Sequence, residues 1–444
     1  MNEQKIPQGY KQTEVGVIPE DWDCVKLSEI VKQARLPSGI YKDKALYGNG
    51  TKIIKLGDVF NFDEFRPDLA QRVLLSEDEK ISYRVNIGDI FIALASVKLE
   101  GVGKVMLVTN LDEPTSFDHN VALIRPINEV NSKFIFYLLK SNLVRILVGK
   151  NATQVGTTFL KASIILGFPL FLPPIKEQTL IATALSDVDA LICKLEKLIA
   201  KKQAIKTATM QQLLTGKTRL PQFALREDGT RKGYKQSELG EVPEDWEVCN
   251  LGEIGQTIIG LTYSPNDVSE FGTLVLRSSN VQNGKLAFDD NVFVNMHLPE
   301  RVIVKEGDIL ICVRNGSRQL IGKCALIDKN TAGSAFGAFM SIYRSELNSF
   351  IFYQFQSNLI QEQINERMGA TINQITNKDM SEFVIAIPKS LQEQTAIATI
   401  LSDLDSEIQT LEQRLVKTRQ IKQGMMQEVL TGKTRLVQPE ARGV

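Results

Sequence analysis

Residues 9–30 read GYKQTEVGVIPEDWDCVKLSEI, and residues 233–254 read GYKQSELGEVPEDWEVCNLGEI. Thirteen of the 22 positions are identical at an offset of 224. Farther on, Glu177–Leu220 and Glu393–Leu436 match at 25 of 44 positions without a gap. Agreement of that length between two parts of one chain marks a tandem duplication, and a repeat of this kind decides the architecture before any local reading does. Between the matched pieces the two copies diverge and share only a skeleton. NIGDIFIALASVKLEGVGKVMLV (86–108) answers to KEGDILICVRNGSRQLIGKCALI (305–327), and KFIFYLL (133–139) to SFIFYQF (349–355). A retained frame around divergent interiors suggests two readers of different targets mounted on one common mechanical part.

The retained tails read as helices. Leu185, Val188, Ile192, Leu195 and Ile199 follow a 3,4,3,4 spacing, which Leu401, Leu404, Ile408, Leu411 and Leu415 repeat. That is an a/d heptad seam, and it demands a partner helix. The alternative, an amphipathic helix lying on a globular core, is opposed by length: about 40 residues give roughly 60 Å of helix. The partner of equal length is the other copy, so an antiparallel coiled coil of the two helices is expected. Copy two enters its helix through Ser390-Leu391-Gln392-Glu393, a capping box in which Ser390 and Glu393 would satisfy each other's amides. Copy one enters through Pro173-Pro174, and proline is tolerated in a first turn.

Both tails end on LTGKTRL. A phosphate-binding loop needs an earlier glycine five residues before its Gly-Lys-Thr, and Gln211 and Gln427 stand there instead. Here the triplet also follows a helix where it should precede one. Helix termination is the better account: Gly216 and Gly432 take the left-handed position past the last turn, with Lys217 and Lys433 near the negative end of the dipole.

The interiors alternate short β-rich runs with turn residues, and each carries one helical patch. They read as α+β domains of mixed, mostly antiparallel sheet. The expected order is a first recognition domain at 1–172, a central helix at 173–220, a linker and second domain at 221–387, a second helix at 388–436 and a tail at 437–444.

Composition narrows the function. Hydrophobic residues make up 43% and charged residues 23%, ordinary for a soluble globular protein. The opening MNEQKIPQGYKQ is too polar for a signal peptide, and no apolar run approaches the roughly 18 residues of a membrane helix. Five cysteines without a CxxC pair suit a reducing cytoplasm, and neither His119 nor His297 has ligands at metal spacing. Basic and acidic residues number 52 each, so a freestanding DNA binder is disfavoured, though one that shares its affinity with a basic partner is not.

Catalytic vocabulary is thin. Pro67-Asp68 with Asp78-Glu79-Lys80 resembles a nuclease triad, but it has no counterpart in copy two. Leu172-Pro173-Pro174-Ile175 lacks the polar and aromatic residues of an amino-methyltransferase loop, and Gly101-Val102-Gly103-Lys104 reads as a turn. No catalytic or metal-binding residues are assigned. Candidate DNA contacts are polar residues on flexible segments. In copy one these are Lys55, Lys98 and, within 151–158, Thr153, Gln154 and Thr157. In copy two they are Arg277, Ser279, Asn280, then Arg314, Asn315, Ser317, Arg318 and Gln319, and within 371–376 Asn373 and Gln374. Ordinary solvated turns are the bland alternative for any one of them. Arg314–Gln319 is the strongest group.

Taken together, GYKxxExGxIPEDWxxxxLxEI at the head of each half, LPP…EQ…IAxxLSDxDxxIxxLE at each helix, GDI(L/F)I and LTGKTRL resemble the specificity subunit of a type I restriction-modification system. The resemblance spans nearly the whole chain. It implies a non-catalytic subunit whose two target-recognition domains each read half of a bipartite, asymmetric site on double-stranded DNA. The paired helices would set the unread spacer and dock two modification subunits, which are N6-adenine methyltransferases. Motor-nuclease restriction subunits would complete the assembly. S-adenosylmethionine, ATP and Mg would then sit on those partners and no cofactor on this chain. Rival readings are a methyltransferase or nuclease with fused specificity, a coiled-coil scaffold that binds no DNA, and a silent or orphan specificity subunit.

Overall fold

The computed structural model describes residues 6–369 and 373–437, apart from the side chain of Val155. It divides into two compact units, 1–196 with 414–444 and 197–413. Each unit holds one recognition domain, part of the first long helix (Ile175–Leu213) and part of the second (Leu391–Val429).

In the first unit, strands Val121–Ile124, Ile90–Ala93 and Val105–Leu107 form an antiparallel sheet in that order. Every residue of the three is buried, so they read as continuous apolar runs with no alternation. Beside it, Tyr47–Ile54 pairs antiparallel with Gln71–Val73 and parallel with Thr115–Phe117. The sequence KFIFYLL lies in the helix Ser132–Leu139, which Asn131 caps by accepting from the Phe134 amide at 3.0 Å. Phe134 through Leu139 are all buried, because this helix passes through the core.

The second unit repeats the plan. Gln256–Ile259, Met340–Arg344, Ile309–Cys312 and Cys324–Leu326 form the antiparallel sheet. Thr273–Leu276 pairs parallel with Ala335–Phe336. The helix Asn348–Phe355 fills the place of Ser132–Leu139. Each GDI motif is a buried ion pair: Asp89 holds Arg125 and Asp308 holds Arg344, with closest contacts of 2.6 Å. The fold is thus α+β, and among the described residues each domain holds one parallel strand pair beside its antiparallel ones, with a few isolated parallel bridges.

The repeated motifs converge on one clamp per unit. In the first, Arg435 from the end of LTGKTRL binds Glu177 at 2.8 Å and Asp21 at 2.7 Å, and its guanidinium lies over the Trp22 ring. Glu177 is fully buried and also accepts from the Trp22 indole at 2.9 Å. In the second, Arg219 binds the buried Glu393 at 2.6 Å and Asp245 at 2.8 Å, over the Trp246 ring. Tyr10 and Tyr234 of the GYK motifs donate to the carbonyls of Gly432 and Gly216.

One sequence reading of this region holds and is extended, and another needs correction. Gly216 and Gly432 do adopt the left-handed conformation, at φ 68° and 71°. Yet LTGKTRL is more than a stop signal: a Cβ on Gly432 would fall 2.5 Å from Pro19, and one on Gly216 would collide with Pro243. Glycine is needed there for close approach as well as for backbone angle. The capping box is also only half made. Ser390 accepts from the Glu393 amide at 3.3 Å, but the Glu393 carboxylate goes to Arg219.

Among the ten seam residues, Leu185, Leu195, Ile199, Leu401 and Ile408 are buried, while Val188, Ile192, Leu404, Leu411 and Leu415 are half-buried. Beyond them, lysines continue the spacing. In the second unit Lys202 meets Glu407 and Lys206 meets Asp405. In the first, Lys422 meets Asp189 and Arg419 meets Glu196. Tyr137 donates to Asp189 at 2.8 Å and Tyr353 to Asp405 at 3.1 Å, which ties each recognition domain to the LSDxD segment of its own helix.

Removing one partner of a buried ion pair leaves the other charge uncompensated, at a cost of about 3–5 kcal/mol. Glu177→Ala should therefore destabilise the first unit by about that amount in denaturant unfolding, and more than Asp21→Ala does. Asp245 gives the clamp a pH dependence. Burial alone would raise its carboxyl, but hydrogen bonds from Arg219 and Lys232 outweigh that and hold it at about 2. In the unfolded chain it protonates near 3.8. Its contribution is present above about pH 4 and lost as pH falls through about 2. The unfolding temperature of the second unit should drop across that window, and Asp245→Asn should flatten the drop.

Candidate nucleic-acid interface

The second unit gathers most of its candidate residues onto one surface. As the strand Thr273–Leu276 ends, the chain enters a short turn at Ser278–Asn280. Asn280 is fully buried. Its oxygen accepts from the Arg277 amide at 2.9 Å, and its amide donates to Ala287, Asp290 and Asn291. A side chain with all of its hydrogen-bonding capacity engaged inside the protein shapes the loop and has nothing left for a base edge. Asn280 is therefore withdrawn as a DNA contact.

Asn280 holds Arg277 and Ser279 at the rim, where Arg277 pairs with Asp290 at 2.7 Å. The Arg277 Nε and the Ser279 Oγ are both shielded from water and without a hydrogen-bond partner. A second loop arrives from the strand Ile309–Cys312. Arg314 forms a backbone bridge with Gln374 and lays its guanidinium 5.2 Å from the centre of the Phe339 ring. Asn315 donates to the Ser278 hydroxyl at 3.1 Å, and Asn373 donates to the Gly316 carbonyl at 3.0 Å. Arg277, Ser279, Arg314, Asn315, Asn373 and Gln374 thus share one face. Arg314, Ser317, Arg318 and Gln319 are exposed, but Arg318 turns back to the Asn365 carbonyl at 3.0 Å. Thr371 and Ile372, inside the candidate stretch 371–376, lie outside the described residues.

In the first unit, Lys55 occupies the place of Arg277, one residue past the strand that takes the parallel partner. It reaches Gln71 at 3.2 Å and lies over the Tyr47 ring at 4.6 Å. Exposed Thr153, Gln154 and Thr157 lie on the hairpin Thr153–Val155 and Thr157–Phe159. That hairpin pairs with Ala95–Ser96, which brings exposed Lys98 into the same neighbourhood.

Aromatic residues on these faces escaped the sequence reading. Phe339 is 57% exposed and Tyr41 72%, with the Tyr41 ring 4.8 Å from that of His119. No local spacing marks them, because exposure of an aromatic ring is decided by the neighbours that fail to cover it.

Of the nuclease-like residues, Asp68 pairs with Arg66, Glu79 with Lys42 and Lys80 with Glu77 in local ion pairs. Burial pushes the Cys249 thiol up to about 11 and Cys324 to about 12, so both stay protonated near neutral pH. No helix among the described residues is long and apolar enough to cross a membrane.

The model of the type I restriction modification DNA specificity domain matches residues 19–207 and again 243–419. The chain belongs to that family. It is a specificity subunit, the non-catalytic component of a type I restriction-modification system, with two DNA specificity domains. It is 29% identical over 443 residues to the "Putative type I restriction enzyme MjaX specificity subunit" of Methanocaldococcus jannaschii, covering 97% of each chain. It is 31% identical over 202 residues to the EcoKI specificity subunit of Escherichia coli, over 44% of this chain and 43% of that one. A crystal structure of the S subunit from M. genitalium has the same fold, with a TM-score of 0.57 at 17% identity over 92% of this chain and 96% of that one.

Two substitutions separate a buried loop-shaping residue from an exposed one in this specificity subunit. Asn280→Ala should cost about 2–3 kcal/mol of stability in the second unit, since it orphans buried backbone groups. Arg314→Ala, at an exposed position, should change stability by no more than roughly 0.5 kcal/mol. Thermal unfolding of the two variants checks both.

Proposed function

We propose that this chain reads a bipartite, asymmetric site on double-stranded DNA, one half with each recognition domain. The observation that carries the proposal is that one frame presents two different reading faces. Copy two offers Arg277, Ser279, Arg314, Asn315, Asn373 and Gln374, with Ser317, Arg318 and Gln319 on the same loop. Copy one offers Lys55, Lys98, Thr153, Gln154 and Thr157 in related places. Arginine and lysine supply phosphate contacts and bidentate bonds to guanine, while asparagine and glutamine suit adenine. Unlike faces read unlike half-sites.

We further propose that the two long helices form an antiparallel coiled coil that fixes the unread spacer. Within each unit the ion pairs run in opposed sequence directions, 189 with 422 and 196 with 419, then 202 with 407 and 206 with 405. Lysines at seam positions pair with carboxylates and so define one register. A rigid element of this kind fixes half-site separation as geometry. The same helices would dock two modification methyltransferase subunits, and motor-nuclease subunits would join them. S-adenosylmethionine, ATP and Mg belong on those partners in this reading, and the complex works in the cytoplasm.

A map of N6-methyladenine across the host genome, with and without this gene, tests the proposal. One bipartite motif should vanish on deletion, and its two halves and spacer give the recognised site. Identical maps would overturn it. Arg314→Ala should relax only the half-site read by copy two; equal loss at both halves would remove that loop from base reading. Deleting four residues around Lys201 shortens the helix by about 6 Å. It should change the spacer in the methylation map or abolish assembly, and an unchanged spacer with full activity would defeat the ruler.

A further inference from the structure

A concave site in the second unit goes beyond groove reading. Between Tyr263, the Arg277–Ser279 turn and the segment 337–340 lies a cavity of about 550 Å³. That is within the roughly 300–1,000 Å³ of small-ligand sites. Its wall carries Arg277 and Ser279, and the Arg277 guanidinium is about one-third exposed there. It also carries the Asp290 carboxylate, which binds Arg277 through one oxygen. At the mouth stands Phe339, more than half exposed and backed by Arg314.

A base inside a duplex presents only its edge to a groove, and convex elements read that edge. A hollow with donors and a carboxylate inside suits a base that has left the stack, and an exposed aromatic ring beside it suits the gap the base leaves behind. We propose that copy two extrudes one base of its half-site into this cavity while Phe339 wedges into the vacated step. The donor set selects the base. Guanine sets acceptors beside donors on one ring system, so the Arg277 guanidinium faces its acceptors and Asp290 faces its N1 and N2 protons. Copy one places other groups there: Tyr47 donates to Asp118 at 3.2 Å, Lys55 lies over Tyr47, and Asn120 stands in the place of Phe339. Extrusion belongs to copy two alone.

The inference rests on the DNA-reading proposal, and mismatch scanning separates the two. The full chain, co-purified with its methyltransferase subunits, is titrated with fluorescent duplexes of its mapped site. In each duplex one position of the copy-two half carries a mismatched partner strand. Unpairing removes part of the extrusion cost, so a mismatch opposite one guanine should tighten binding by about ten-fold. Phe339→Ala should abolish that gain. Methylated adenines are flipped by methyltransferases too, but tightening there should be indifferent to Phe339. If the matched duplex binds specifically and no guanine mismatch in that half tightens it, extrusion is overturned and groove reading stands. Tightening that survives Phe339→Ala also overturns it. Absence of any sequence-specific binding would overturn both proposals.

Discussion

The structure depends on a carboxylate taken out of water at the start of each long helix. Glu177 and Glu393 are almost wholly buried, and each is matched by the guanidinium that closes the other copy's tail. Removing a carboxylate from water costs several kcal/mol, which only a well-placed partner can offset. Arginine is suited to it because its planar fork grips two carboxylates at once while stacking on an indole. The pairing crosses the duplication: Arg435 of copy two serves Glu177 of copy one, and Arg219 of copy one serves Glu393 of copy two. Neither copy can complete its own clamp at the start of its own helix.

That constraint explains which residues the duplication kept. Tyr10 and Tyr234 bind glycine carbonyls in the tail, Pro19 and Pro243 press on those glycines, and Trp22 and Trp246 lie under the arginines. A change in any one leaves a buried charge or a filled approach. The reading faces are under no such constraint. They stand on loops held by backbone bonds, so Arg277 can replace Lys55 and Phe339 can replace Asn120 without disturbing the clamp. A fixed frame with free loops is how the proposed two specificities fit one architecture.

The two copies differ beside the parallel strand pair of each domain. Arg277 and Ser279 keep polar atoms unpaired beside a cavity, whereas copy one fills the same region with Tyr47, Lys55 and Asp118. Unpaired buried donors cost stability in the free protein.

Repetition and period were legible in the sequence because both follow from chain geometry: a duplicated stretch is visible without folding, and a 3,4 spacing places side chains on one stripe of any helix. The two long helices, the left-handed glycines and the mixed α+β interiors could be read in this way, and the family was read from the resemblance of the repeated motifs. Partnership was not legible. Glu393 looked like half of a capping box because Ser390 is three residues away, while Arg219 is far off in sequence and adjacent only in the fold. Asn280 looked like a reader because it is polar and sits in a turn, but the carbonyls that bind it come from a segment seven to ten residues later. Local periodicity sets which face of an element is apolar. What finally covers a face, or leaves it open to a ligand, depends on contacts between distant segments, and only the tertiary structure decides those.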